Sequence, residues 1–158
     1  MRFIEPTILA YIAGFLDGDG SIFFQIVPRS DYKFGFEIRA SIAFYQKSNN
    51  VEILNWLKEQ LGSGYIRHRK TGMSDYTIVG SAEANRVMRL LQPYVFLKKK
   101  HVALGLKILE MMGNLKSKED FLEVCKLVDK FGDINYSKKR KLTYSVVERA
   151  LASKSLPL

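Results

Sequence analysis

A chain of 158 residues has the length of one domain, and 47% hydrophobic with 12% aromatic residues is enough apolar surface for one core and excludes disorder. A net charge of +9 points to an anionic partner, nucleic acid or an anionic membrane surface, and alone does not choose between them. The single cysteine, Cys125, excludes an intramolecular disulfide or a multi-cysteine zinc site and reads as a small buried residue of an intracellular protein.

The first predicted element is a helix entered after Pro6, with Thr7 as N-cap, and ending near Asp19 before Gly20. Ile8, Leu9, Tyr11, Ile12, Phe15 and Leu16 make it apolar on nearly every side, and Ala10, Ala13 and Gly14 are small enough to admit another backbone. Such a helix must be covered all round. The run is too short to span a bilayer, and the acids behind it are unlike a signal peptide, so no membrane role is expected.

Alternation then predicts strands over Ile22–Val27 and from Lys33 to Phe44, around a turn at Pro28–Asp31. One face is continuously apolar; the other carries Gln25, Arg29, Lys33, Glu37 and Arg39. Asn49, with Glu52 three residues on, is the expected cap of a helix closed by Gly62. Strands follow over Gly64–Arg69 and Ser74–Val79, with Tyr65, Arg67 and Arg69 on one face and Ile66 and His68 on the other. Helices are expected from Ser81 to before Pro93, over Leu97–Met112, from a Ser117/Asp120 cap onward, and through Val146–Leu151. The order α-β-β-α-β-β-α with C-terminal helices predicts an α+β fold, a four-stranded antiparallel sheet with helices on one face, in one unit over 1–158 whose C-terminal end is frayed.

Tyr11 to Gly20 is the most informative stretch. It is an apolar helix that delivers two carboxylates, Asp17 and Asp19, to a C-terminal end already carrying partial negative charge. A bound divalent cation would compensate, and magnesium is commonly held by one or two carboxylates with water and phosphate. The alternative is a polar turn between helix and strand. An EF-hand loop is excluded, because counting from Asp17 places Ile22 where glycine is needed and Pro28 where glutamate is needed.

Ile12-Ala13-Gly14-Phe15-Leu16-Asp17-Gly18-Asp19-Gly20 resembles the LAGLIDADG signature of homing endonucleases position by position. The resemblance runs over essentially the whole chain to the single-motif enzymes of green-algal chloroplast group I introns. Its landmarks include Tyr32-Lys33-Phe34, Gln46-Lys47, Gly64-Tyr65-Ile66-Arg67, Ser74-Asp75-Tyr76, Leu97-Lys98 and Ser137-Lys138-Lys139-Arg140-Lys141.

The resemblance implies a chloroplast enzyme that cuts long double-stranded DNA sites with Mg2+, for which Mn2+ or another divalent metal substitutes. Asp19, helped by the Gly18 carbonyl, would hold that metal; Gln46 would organise water, and Lys98 would stabilise transition-state charge. Asp17 would hold the turn. No second motif follows, so a homodimer is implied, packed through Ile8, Tyr11, Ile12, Ala13, Gly14 and Phe15 of the first helix. One departure is Asn50, where similar members carry arginine or lysine; Lys47 or water would have to substitute, or the enzyme is slower.

DNA contacts are expected from Gln25, Arg29, Ser30, Tyr32, Lys33, Glu37, Arg39, Tyr45, Gln46, Arg67, His68, Arg69 and Asp75, a set suited to base edges and phosphates. Ser137, Lys138, Lys139, Arg140 and Lys141 read as a flexible basic run for phosphate positioning. Two other functions compete: a non-cleaving relative acting as an RNA maturase or transcription regulator, and a basic structural protein such as a ribosomal component. The paired acids favour cleavage over both.

Overall fold

The computed structural model describes residues 2–135 and 140–153. The expected fraying of the C-terminal end falls on 154–158, outside the described residues. The chain runs α1 (Pro6–Asp19), β1 (Gly20–Pro28), β2 (Phe36–Lys47), α2 (Glu52–Leu61), β3 (Tyr65–His68), β4 (Met73–Val79), α3 (Ser81–Leu91), α4 (Lys99–Met112), α5 (Lys118–Ile134) and α6 (Tyr144–Ala152).

The cap of α1 is Glu5, two residues before the expected Thr7, so Pro6 itself is helical. Pro6 occupies the first turn, where its missing N–H costs nothing, and the Glu5 carbonyl accepts from Ile8 and Leu9 N–H at 3.0 Å each. The helix stops where Gly20 turns into extended backbone. A Cβ there would lie 2.7 Å from Leu16 Cδ1 and 2.9 Å from Ala43 O, so only glycine lets the helix end meet β2 this closely.

The sheet order is β1-β2-β4-β3, and every neighbouring pair is antiparallel. Register places Ile22, Phe24 and Ile26 against Ile42, Ala40 and Ile38, and Phe44 against Tyr76, all on the face packed by helices. Phe24 meets Phe131 of α5 at 4.9 Å between ring centroids, and Phe44 stacks on Tyr76 at 5.7 Å. Cys125 lies inside this core, where burial pushes its thiol up to about 12, as its small apolar role requires.

Two cap expectations divide. Ser117 caps α5, its hydroxyl accepting from Asp120 N at 3.1 Å while the Asp120 carboxylate accepts from Lys116 N at 2.9 Å. Asn49 does not cap α2. The chain leaves β2 through a 3₁₀ turn, Ser48–Asn50, which places Val51 at the cap position with Glu52 in the first helical turn. Gly62 closes α2 in the left-handed region at φ 85°.

α1 also corrects an expectation. Leu9, Ile12, Ala13 and Leu16 turn into the protomer's own core, Ile12 and Ala13 at 0% exposure, so neither lines a surface between copies. An all-round apolar helix does not announce which side faces in. Packing on the sheet and α3 decides it, leaving Tyr11, Gly14 and Gly18 outward and Ile8 and Phe15 at the margins.

Candidate active site and nucleic-acid interface

The C-terminal end of α1 meets the loop that enters α4. The Asp17 carboxylate accepts three backbone N–H groups, from Phe96 at 2.7 Å, Leu97 at 3.0 Å and Lys98 at 3.1 Å. It thus caps the N-terminal side of α4, where negative charge is favoured. Lys98 returns the contact, its Nζ donating to the Asp17 carbonyl at 3.1 Å. Burial lowers the Lys98 pKa, and the nearby Asp17 charge opposes that.

Gly18 and Asp19 are exposed beside this junction. Gln46 stands at the same end of the sheet, two residues past Phe44, which pairs with Gly20. Its side chain shares the helix-side face with Ser74 and accepts from Lys47 N at 3.2 Å. Asn50 and Lys47 are both exposed. Among the described residues no three His, Cys, Asp or Glu side chains converge, so a metal here would draw further ligands from outside this chain's side chains.

The other face of the sheet forms an open trough lined by Phe23, Gln25, Arg39, Tyr45, Arg67 and Arg69, among others. Two acids organise its cations. Asp75, 1% exposed, accepts from Arg69 Nε at 2.9 Å, Arg67 Nε at 3.3 Å and Thr77 Oγ1 at 2.7 Å. Burial pushes the Asp75 pKa up, but the Thr77 hydroxyl and the two guanidinium groups outweigh it and leave the carboxyl below its ordinary value. Among the described residues both arginines reach the acid through Nε, which leaves their Nη ends away from it.

Glu37 plays the same part at the other end, accepting from Arg39 Nη2 at 3.2 Å and Arg29 Nη1 at 3.3 Å. Arg29 is held further by Asp31 through two bonds of 3.1 Å, and its guanidinium lies 5.2 Å from the Tyr32 ring centroid. Ser30, Tyr32 and Lys33 are exposed around it. Tyr45 is anchored by Ser21, Oγ to OH at 3.0 Å.

Two expected contacts move. His68 sits on the opposite, helix-side face at the sheet's edge, because it pairs with Ser74 and its Nδ1 lies 2.7 Å from Ser74 Oγ. Arg140 is no flexible arm: its Nη1 donates to Val128 O at 2.6 Å and its Nη2 to Phe24 O. Lys141 is exposed, and Ser137, Lys138 and Lys139 lie outside the described residues.

Sequence reasoning passed over Phe96 and took Leu97 only as a landmark and a helix start; the two are 76% and 69% exposed, on the loop that Asp17 holds. Two bulky apolar residues beside a lysine run were the available signal. It also did not pair Trp56 with Tyr11, whose rings meet edge-on at 5.6 Å next to Ile8 and Ile53.

Comparison with known proteins decides the family. The family model describing the LAGLIDADG endonuclease matches residues 12–109. The chain is 40% identical over 152 residues to DNA endonuclease I-CreI of Chlamydomonas reinhardtii, covering 96% of this chain and 93% of that one. This chain belongs to the LAGLIDADG endonuclease family. It is also 34% identical over 150 residues to DNA endonuclease I-CvuI of Chlorella vulgaris, covering 95% and 93% of the two chains. The crystal structure of I-CvuI with its target, in the presence of calcium, superposes with a TM-score of 0.86 at 34% identity over 92% of this chain and 93% of that one. An archaeal intron-encoded homing endonuclease, I-Vdi141I, complexed with DNA, shares the fold with a TM-score of 0.81 at 21% identity over 94% and 97% of the two chains. The LAGLIDADG match begins at Ile12 and takes in the motif, the whole sheet and most of α4.

Proposed function

We propose that the chain is a site-specific double-strand DNA endonuclease of intron homing, acting as a homodimer on a long, roughly palindromic site. The observation that carries this is the split of the two motif acids: Asp17 is consumed by the α4 loop, while Asp19 stands exposed beside the outward Gly14–Gly18 face. The relatives I-CreI and I-CvuI, named as DNA endonucleases, support it.

The donor set fits a hard divalent cation. The Asp19 carboxylate and Gly18 carbonyl offer oxygen, and magnesium takes the balance from water and phosphate. Bound there, the ion would polarise a phosphodiester and lower the pKa of a water. Mg2+ is the proposed metal, with Mn2+ or another divalent ion as substitute. Lys98 offers positive charge to the phosphate oxygens, and Gln46 a hydrogen-bonding group at the same end of the sheet. The trough faces the major groove, with Arg67 and Arg69 directed at base edges and Lys141 at phosphate.

The outward face of α1, continued by Tyr11, Trp56, Phe96 and Leu97, packs against the second copy. The proposed compartment is a chloroplast, a reading that the family resemblance supports. Asp19→Asn tests the proposal. Cleavage of the intronless host sequence should fall by orders of magnitude and stay lost at raised magnesium. Specific binding without metal should be equal or slightly tighter, because one charge that repels phosphate has gone. Wild-type cleavage by this variant would remove Asp19 from the site. Specific binding by a wild-type protein that never cuts would favour a regulator or maturase instead.

A further inference from the structure

The sheet order leaves β1 at an edge, and alternate β1 carbonyls face away from β2. Two of them are taken by side chains from the C-terminal part of the chain. Asn135 Nδ2 donates to Ile22 O at 2.9 Å, while its Oδ1 faces His101 Nε2 at 2.9 Å. Arg140 bridges Phe24 O of β1 and Val128 O of α5. The guanidinium has a built seat, because α5 carries Gly132 beneath it. A Cβ at that position would lie 2.9 Å from Arg140 Cδ and 3.1 Å from Nε. Burial lowers the Arg140 pKa, against the pull of Asp129 and Asp133, as expected for a cation withdrawn from solvent.

We propose that Arg140 is a positioning residue for DNA binding, a latch that fastens Lys141 to the outer edge of β1, and that it makes no phosphate contact itself. The inference rests on the trough being the DNA surface. Gln25 follows Phe24 directly and points to the trough, so one carbonyl bond braces a candidate base-contacting residue. The exposed cation next in sequence is held to the same strand. Only a fork of donors spans two carbonyls on different elements; a lysine ammonium keeps the charge and loses the bridge.

Cleavage kinetics and the salt dependence of binding test this in Arg140→Lys, Arg140→Met, Gly132→Ala and Lys141→Ala, with each preparation normalised to its folded fraction. The latch requires the first three to raise KM by about tenfold or more, the order for losing a charge-assisted hydrogen bond, with kcat close to wild type. Lysine should rescue no better than methionine. Lys141→Ala should shrink the log–log salt slope by about 0.9 in the wild-type background and by less beside Arg140→Lys, where Lys141 has lost its place. The idea is overturned if Arg140→Lys matches wild type, if Gly132→Ala is silent, or if Lys141→Ala acts equally in both backgrounds. Should the arginine variants not fold, Gly132→Ala, which leaves every charge in place, decides alone. A wild-type protein without DNA affinity would instead remove the function on which the latch depends.

Discussion

Asp75→Asn removes one charge, keeps the side chain's size and leaves two arginines without their anchor. Asp75 is 1% exposed, while Arg67 and Arg69 are 54% and 47% exposed. A fully buried charged hydrogen bond would be worth about 1.5–3 kcal/mol, but half-exposed guanidinium groups are resolvated when released. Each pair is therefore discounted to about 1 kcal/mol, the upper end for solvent-exposed ion pairs. If asparagine turns its oxygen to the Thr77 hydroxyl, its NH2 faces the arginine Nε–H groups, donor against donor. The expected loss is about 2 kcal/mol, which lowers Tm by about 4–8 °C in a domain of this size.

The effect on recognition is separate. An arginine set by its Nε presents both Nη groups end-on, the geometry that meets guanine O6 and N7, and such a pair is worth about 1–3 kcal/mol of discrimination. Releasing both should flatten base preference opposite β3 by about tenfold or more, while the salt slope holds because both cations remain. Competition binding across single-base variants of the site, with a salt titration of each, measures both. The sign of the pH effect follows from the lowered folded pKa. As pH falls, the unfolded carboxyl takes up its proton first, so stability is whole above about pH 4 and drains through the folded value. The variant should lose that acid limb. An unchanged base profile with an unchanged Tm would refute the anchoring role.

Two further outcomes separate the core from the surface. A Cβ at Gly14 would meet nothing within 4 Å among the described residues, so Gly14→Phe should leave the protomer's fold intact and shift sedimentation to the monomer, whereas Ala13→Leu should destabilise the protomer by about 1–3 kcal/mol through overpacking. His101 has its pKa lowered by burial, with Asn135 opposing. Its unfolded form binds a proton first, so stability should decline as pH drops below about 6.5, with a slope of at most about 1.4 kcal/mol per pH unit, and His101→Gln should flatten that part of a Tm–pH profile.

What was legible followed local rules. Alternation marks β2 over residues 36–44 because one face is buried and the period is two, whereas residues 33–35, expected in the same strand, belong to the turn before it. Ser117 with Asp120 marks a helix start because the cap is made within four residues. Failures came where a distant partner decided the outcome. Asn49 carries the right chemistry for a cap, but the 3₁₀ turn leaving β2 moves the cap of α2 two residues on, to Val51. Arg140 sits in a run of cations that reads as a flexible segment for phosphate positioning, and only the approach of β1 and α5 shows two carbonyls waiting for it. The family resemblance puts Ile12 and Ala13 between copies, and the apolar residues on every side of α1 could not correct it, because hydrophobicity without a stripe carries no orientation.

The spacing of the motif acids explains how one short segment serves two ends. Successive helical residues rotate by about 100°, so acids two apart point to nearly opposite sides. Asp17 therefore reaches inward, where three N–H groups and the start of α4 neutralise it and fix Lys98 in place. Asp19 is left outward with the helix's C-terminal charge behind it and no such compensation from α4. The intervening Gly18 lies one turn after Gly14, and among the described residues neither has a neighbour within 4 Å of where a Cβ would be. A side chain at either position would hold a second helix away; glycine lets two backbones approach, which would bring two copies of Asp19 near each other. Like charges so placed repel, and a cation shared with DNA phosphate relieves that repulsion. Assembly and metal binding should thus be linked, with the dimer dissociating least where divalent ion and DNA are both present.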